Sequence, residues 1–347
     1  MSRQAVTIRH VAAEAGVSLQ TVSRVINNEP NVRDAVRARV NAAVERLGYI
    51  PSIAARRLGG ARSYLILALN DRDRTIEGWR LGEGNDWVDQ MLYGGMLTCA
   101  QHGYRMIFEL VDTHAEHVER AVLAALAALR PDGVVLTPPH SDNPAITRLL
   151  EERGVPFARI GSGETGAGFA IGMDEAAAGR AATEHLLALG HRRIGFVSGD
   201  PEYRLSVDRR DGYRQALAAG GVAADPALEQ QGDFSFASGV IAAEALLDLP
   251  SPATAIVASS DQMTLAALHV AYHRGLRVPA DLALVSFDDT PVVRFAMPPL
   301  TAVTQPIAAM ASAAAELLIR ASAGEAIDPE PRILPFALNV RASTVGG

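Results

Sequence analysis

Residues 18–27 read SLQTVSRVIN, and the side chains on the polar side of this stretch decide what kind of domain it belongs to. At ~100° per residue, Val22, Val25 and Ile26 share one side of a helix. Gln20 and Arg24 lie nearly opposite, with Leu19 and Ser23 between the two sides. Ser18 is a capping residue type, and Asn27, Asn28 and Pro30 break the segment. Just upstream, Thr7 offers an N-cap to "IRHVAAEA", whose Ile8, Val11, Ala12 and Ala15 fall on one face, and Gly16 permits a left-handed end. A third helix over 33–47 carries Val36, Val40, Val44 and Leu47 and stops at Gly48. Helix, short glycine turn, helix is the helix-turn-helix pattern. Three small helices bury the Val/Ile side, so Gln20 and Arg24 face out. Both suit base edges, arginine to guanine O6 and N7 and glutamine to adenine. The bland alternative is a solvated face on a small bundle.

Charge supports the first reading. Residues 1–62 hold ten Arg and four acids, a net of +6, which leaves −13 for the rest of a chain whose total is −7. A basic head on an acidic body is a footprint for a polyanion at one end. All 32 basic residues are Arg, so a P-loop lysine and a Schiff-base lysine are both excluded. Cys99 is the single cysteine, which excludes an internal disulfide and a cysteine-based metal cluster. No apolar run approaches the ~18 residues of a membrane span, and "MSRQAVTIRH" lacks a secretion signal's apolar core. A cytoplasmic protein is expected.

The segment "VTIRHVAAEAGVSLQTVSRVINN", with "VRARVNAAVERLGYIPSIAARRLGG" after it, resembles the DNA-binding head of the lactose/galactose repressor (LacI/GalR) family. The resemblance implies that Leu19, Gln20 and Arg24 read the major groove, and Thr7, Ser18, Thr21, Ser23 and Asn27 complete the expected DNA-contacting set. Leu19 cannot bond a base edge but can touch a thymine methyl. "PSIAARRLGG" (51–60) is helix-capable yet too short to be stable alone in water. By resemblance it is a hinge helix that folds on the operator beside its twin. Leu58 would wedge into the minor groove, Ala55 would pack beside it, and Arg56 would lie near phosphate. A flexible basic linker is the alternative.

From residue 63, apolar strands alternate with Ala/Leu-rich helices. Strands are expected at 64–69, 105–110, 133–137, 157–160, 193–198, 254–259 and 282–287. Helices are expected at 86–102, 115–129, 144–153, 175–189, 207–219, 236–248, 261–274 and 306–322. This βαβ alternation predicts parallel sheets, and at this length two of them. "LGHRRIGFVSGD", "DRRDGYRQAL", "VASSDQMTLAAL", "GLRVPADLALVSFDDT" and "PPLTAVTQP" extend the same resemblance along the body. The implied fold is an all-α helix-turn-helix head plus a periplasmic-binding-protein-like α/β body of two doubly wound parallel-sheet lobes. The expected boundaries are 1–50 for the head and 51–62 for hinge and linker. The first lobe takes 63–172 plus 305–330, and the second 173–304 plus 331–342.

The resemblance places a small ligand between the lobes, with Arg209 and Asp261 as its polar partners and Phe234 as an aromatic wall. An ion pair between the lobes is the alternative for Arg209 and Asp261. Asp71 and Thr137 follow strands whose ends face the cleft. Gly161 stands where lactose-responsive members have an aspartate, and the stretch 70–87 reads as a loop longer than the family usual, with Trp79 and Trp87 in it. A lid or wall for a larger saccharide, with Trp87 on the next helix, competes with a surface excursion. "FDDT" (287–290) reads as hydrogen-bonded turn formers, and His114 and His117 as solvated, so no metal or cofactor is expected. The expected function is a non-enzymatic, homodimeric repressor of carbohydrate-use genes. It would grip a near-palindromic operator and respond to a mono- or oligosaccharide. A transport-type sugar-binding protein and a glycoside-acting enzyme are the rivals.

Overall fold

The computed structural model describes residues 6–26, 31–49, 62–82, 85–114, 116–163 and 165–345. Asn27, Ala55, Arg56, Leu58 and the expected hinge through residue 61 lie outside them. The chain divides into two units, 1–64 and 65–347.

The first unit holds α1 (Ile8–Ala15), α2 (Leu19–Ile26) and α3 (Asp34–Leu47). Thr7 is the N-cap of α1, its backbone N–H donating to His10 Nδ1 at 3.0 Å, and Gly16 ends the helix with φ 63°. Ser18 Oγ accepts from the Thr21 N–H at 3.2 Å. Val11, Val22 and Val40 are wholly buried, with Val25 and Tyr49 beside them. Each such valine contributes about 1.5–3 kcal/mol relative to exposure, and all of this core comes from the head's own residues.

The second unit contains two six-stranded sheets. The first is built from β1 (Leu65–Asp71), β2 (Arg105–Val111), β3 (Gly133–Leu136), β4 (Phe157–Ile160), β5 (Phe169–Gly172) and β11 (Arg332–Ile333), in the order β11-β5-β4-β3-β1-β2. All its pairings are parallel. Its helices are α4 (Arg72–Leu81), α5 (Asp86–Gln101), α6 (Val118–Leu129), α7 (Pro144–Glu152) and α13 (Ile307–Ser322). The second sheet has β6 (Ile194–Ser198), β7 (Glu229–Gln231), β8 (Ala255–Ala258), β9 (Ala283–Asp288), β10 (Thr301–Thr304) and β12 (Ala337–Asn339), in the order β12-β10-β9-β8-β6-β7. Only β12 runs antiparallel. Its helices are α8 (Glu175–Ala188), α9 (Arg204–Ala219), α10 (Phe236–Leu247), α11 (Asp261–His273) and the short α12 (Pro291–Phe295). Strands such as β1 are buried along their whole length, which is why they read as continuous apolar runs.

The chain passes between lobes after β5, after β10 and between β11 and β12. The last passage corrects one expected boundary. Residues 332–333 pair with Ile171 and Gly172 in the first lobe, whereas 337–339 pair with β10 in the second, so 331–342 is shared. A second correction concerns 70–87, which is not one long loop. Asp71 caps α4 by accepting the Arg74 N–H at 2.8 Å, and Gly82 closes the helix with φ 71°. Only Thr75 of that helix is buried, so it has almost no apolar period to detect.

Candidate DNA-reading face and ligand cleft

In the head, Val22 and Val25 of α2 are buried, while Ser18, Leu19, Gln20 and Arg24 are exposed; Leu19 keeps 44% of its surface. Thr21 and Ser23 are half-buried beside them, and Thr7 is exposed at the start of α1. The polar side of α2 is thus exposed, with an arginine and a glutamine one helical turn apart.

In the body, a cleft open to solvent at its mouth lies where strand ends of the two lobes meet. Asp71, Trp87, Arg209, Phe234 and Asp261, all expected here, line it. Thr137 does not. It is wholly buried and donates to the Leu69 carbonyl at 3.0 Å and to Asn70 Oδ1 at 2.6 Å. Its role is to hold Asn70, which does line the cleft.

Arg209 projects from α9 and is 1% exposed. Its Nε donates to Glu175 Oε2 at 2.7 Å and its Nη1 to the Ser259 carbonyl at 2.8 Å, while Nη2 is buried with no protein partner. The guanidinium also stacks 4.3 Å from the centre of the Phe287 ring. Asp261 sits at the start of α11. Its Oδ1 accepts from Ser286 Oγ at 2.5 Å, and its Oδ2 from the Thr290 N–H and hydroxyl at 2.8 and 2.7 Å. Both residues belong to the second lobe, and the carboxylate bonded to Arg209 is Glu175 of that lobe, so they form no ion pair between lobes.

Burial, and then the charge of Asp288, push the Asp261 carboxyl up to about 8 against those three donated bonds. The folded chain therefore keeps a proton that the unfolded chain has lost. The resulting stabilisation is whole below about pH 4 and disappears as pH rises through the folded value. The thermal midpoint of the body should fall from pH 5 to pH 8.5, and Asp261→Asn should flatten that slope. An identical slope in the variant would assign the proton to another group.

Trp87 opens α5 and donates its indole N–H to Gln305 Oε1 at 3.1 Å. Trp79 on α4 is 56% exposed and does not line the cleft. Phe234 is on the wall, yet its ring is already engaged. The Arg74 guanidinium covers it at 4.7 Å and Tyr203 meets it edge-on at 5.1 Å. Arg74 also donates to the Asp233 carbonyl, and His114 meets Glu202 at 2.9 Å, and these contacts too join the lobes. Glu202 pushes the His114 imidazole pKa up.

Sequence reasoning missed Asn70, Arg74, Asp86, Tyr203 and Gln305 as cleft residues, and read Asp288 as a turn former. Asp288 (φ 94°) and Phe234 (φ 70°) hold left-handed backbone, a strain that fixes their side chains on the cleft wall. Asp289 (φ 57°) is the turn former of the pair, accepting from Thr304 and Asn339 and meeting Arg341 at 2.6 Å. No three potential metal-ligating side chains cluster among the described residues. No helix among them is long and apolar enough to cross a membrane.

A helix-turn-helix head, followed in sequence by a two-lobed body with a polar cleft between its sheets, is the make-up of a ligand-responsive DNA-binding regulator. Comparison with known proteins gives the family. Residues 7–52 match the bacterial regulatory proteins of the lacI family, and 183–344 match the periplasmic binding protein-like domain. The HTH-type transcriptional regulator CelR of Thermobifida fusca is 36% identical over 348 residues, covering 98% of this chain and 99% of that protein. The HTH-type transcriptional repressor CytR of Escherichia coli K12 is 31% identical, with 98% and 96% covered. Among solved structures, a CelR–cellobiose complex superposes with a TM-score of 0.73 at 33% identity, covering 97% of this chain and 99% of that one. The lac repressor dimer bound to operator and an anti-inducer gives 0.79 at 28% identity, covering 99% and 100%. This chain belongs to the LacI family of bacterial regulatory proteins and is a DNA-binding transcriptional regulator.

Proposed function

We propose that this regulator works as a cytoplasmic homodimer that represses carbohydrate-use genes, and that a saccharide in the cleft sets its affinity for the operator. The observation that carries the effector class is the pairing of Trp87 with the buried, unpartnered Nη2 of Arg209 in one cleft. An aromatic face suits the C–H patch of a sugar ring, and a guanidinium N–H beside carboxylates suits vicinal hydroxyls. With Phe234 covered by Arg74, Trp87 is the platform a ring meets first. The solved relative in complex with cellobiose supports the same class.

Two heads of a dimer would address half-sites about one helical turn apart, ~34–36 Å, which calls for a near-palindromic operator. Gln20 and Arg24 would read base edges, with Leu19 against a thymine methyl. Arg24→Ala is expected to cost about 1–3 kcal/mol at one base position of each half-site and to relax preference there. The check is a binding profile over single-base operator variants; an unchanged profile would remove Arg24 from the reading face.

Tryptophan fluorescence tests the effector directly, because the chain has two tryptophans and one of them lines the cleft. Titration with glucose, galactose, maltose and cellobiose should give a saturable change for at least one sugar. That change should survive Trp79→Phe and vanish in Trp87→Phe. A signal that follows Trp79, or none with any sugar, would count against a saccharide in this cleft.

A further inference from the structure

The cleft's ionisable groups are out of balance, and the imbalance bears on which saccharides can enter. Arg209 is paired with Glu175 at 2.7 Å. Arg74 bonds the backbone of Asp233 and lies over Phe234. Arg209 thus already has a carboxylate beside it, and Arg74 is engaged by a backbone carbonyl and a ring. Asp71, Asp86, Asp261 and Asp288 also line the cleft; Asp261 keeps its proton up to about pH 8, and none of the other three has a guanidinium to itself. Asp71 is held by Thr113 at 2.9 Å and by the Arg74 N–H, and Asp261 by Ser286 and Thr290. Asp288 approaches Arg209 only at 4.0 Å.

The acids border the cleft from both lobes. Asp86 stands on the first lobe, in the first turn of α5, and Asp288 on the second, at the end of β9. Burial holds the Asp288 carboxyl up against the charges of Arg209 and Arg74, and the Asp86 charge adds to that rise. A hydroxyl or ammonium placed between them donates to both and relieves their repulsion. A carboxylate or phosphate adds a third like charge where solvent screening is weakest. Among the unpartnered donors of the cleft, Ser259 Oγ and Gln305 Nε2 are neutral, and the one charged donor, Arg209 Nη2, shares its guanidinium with Glu175 and stands beside Asp288, so an anion that reaches it meets those acids.

We propose that the cleft selects its effector by charge: it takes saccharides that are neutral or carry an amino group, and refuses those that carry a carboxylate or phosphate. This rests on the saccharide reading above and adds the class within it. Asp86 is the specificity-determining residue of the first lobe, and Asp288 its counterpart on the second.

The test is calorimetry on the intact chain with two matched sets, glucose, glucuronate and glucosamine, and cellobiose, cellobiouronate and the glucosamine disaccharide. In whichever set has a neutral member that binds, the carboxylate is expected to bind at least ~30-fold more weakly, about 2 kcal/mol, and the amine at least as well as the neutral sugar. Asp86→Asn should narrow the gap between the carboxylate and its neutral parent by at least about fivefold, read as the ratio of the two affinities in the same variant. A carboxylate that binds within about threefold of its neutral parent overturns the inference and leaves the saccharide reading standing. So does a ratio unmoved in both Asp86→Asn and Asp71→Asn. If no member of either set binds, the saccharide reading falls and takes this inference with it.

Discussion

Arg209→Ala is expected to lower the stability of the body by about 3–5 kcal/mol and to abolish the response to saccharide while leaving operator binding in place. The first effect comes from what the substitution leaves behind. Glu175 is 5% exposed, and its Oε1 already has no hydrogen-bond partner. Removing the guanidinium strands a buried carboxylate, which costs far more than the pair itself contributes. The loss of response follows because Nη2 is the donor offered to the ligand. The head keeps a core of its own residues, so duplex binding should persist below the melting temperature of the body. Urea unfolding gives the first quantity and an effector titration the second. Adding Glu175→Gln to the variant should restore much of the stability and none of the response. An Arg209→Ala protein with ordinary stability would mean that Glu175 is neutral in the folded chain.

Gly212→Ala is expected to destabilise the body by about 3 kcal/mol, the upper end for overpacking, although alanine favours an isolated helix by about 1 kcal/mol. Packing decides the sign. A Cβ at Gly212 of α9 would overlap the Ala176 carbonyl and crowd the Arg180 backbone N on α8, and one at Gly179 of α8 would overlap the Arg209 carbonyl. Two backbones in contact cannot yield as a side chain would. Separating α8 from α9 also parts Glu175 from Arg209, so saccharide affinity should fall with stability. Thermal unfolding of Gly212→Ala checks this; an unchanged or raised midpoint would show that the helices can separate at little cost.

Where one face of an element is buried and the other wet, the sequence was readable. The head is the clearest case: α1, α2 and α3 each keep an apolar stripe, and glycines at 16 and 48 mark the ends of α1 and α3. Long buried strands such as β1 and β9 were equally plain. What escaped was short or lacked an apolar stripe. β7 and β12 have three residues and β11 two, too few for a period to stand out, and β5 and β10 were missed although β3, β4 and β8, of the same four residues, were read. The helix at 72–81 alternates charged residues with scattered apolar ones and buries only Thr75, so its Arg74 was hidden in an apparent loop. Glu175 shows why single sites resist a sequence reading, because only the packing of α8 on α9 brings it to Arg209, 34 positions away. Thr137 failed in the opposite way. Its place after a strand was read correctly, but its side chain turns back to Asn70 rather than into the cleft.

The coupling between cleft and operator is tested most directly by one titration. Fluorescence anisotropy of a labelled operator, bound by the intact chain at fixed salt, would be measured with and without a saturating neutral saccharide. The expected result is a shift in operator affinity of about 5–150-fold, the usual range of coupling between two sites, lost in Arg209→Ala. Superimposable curves in the presence of a sugar that demonstrably occupies the cleft would contradict the assignment of that sugar as the effector.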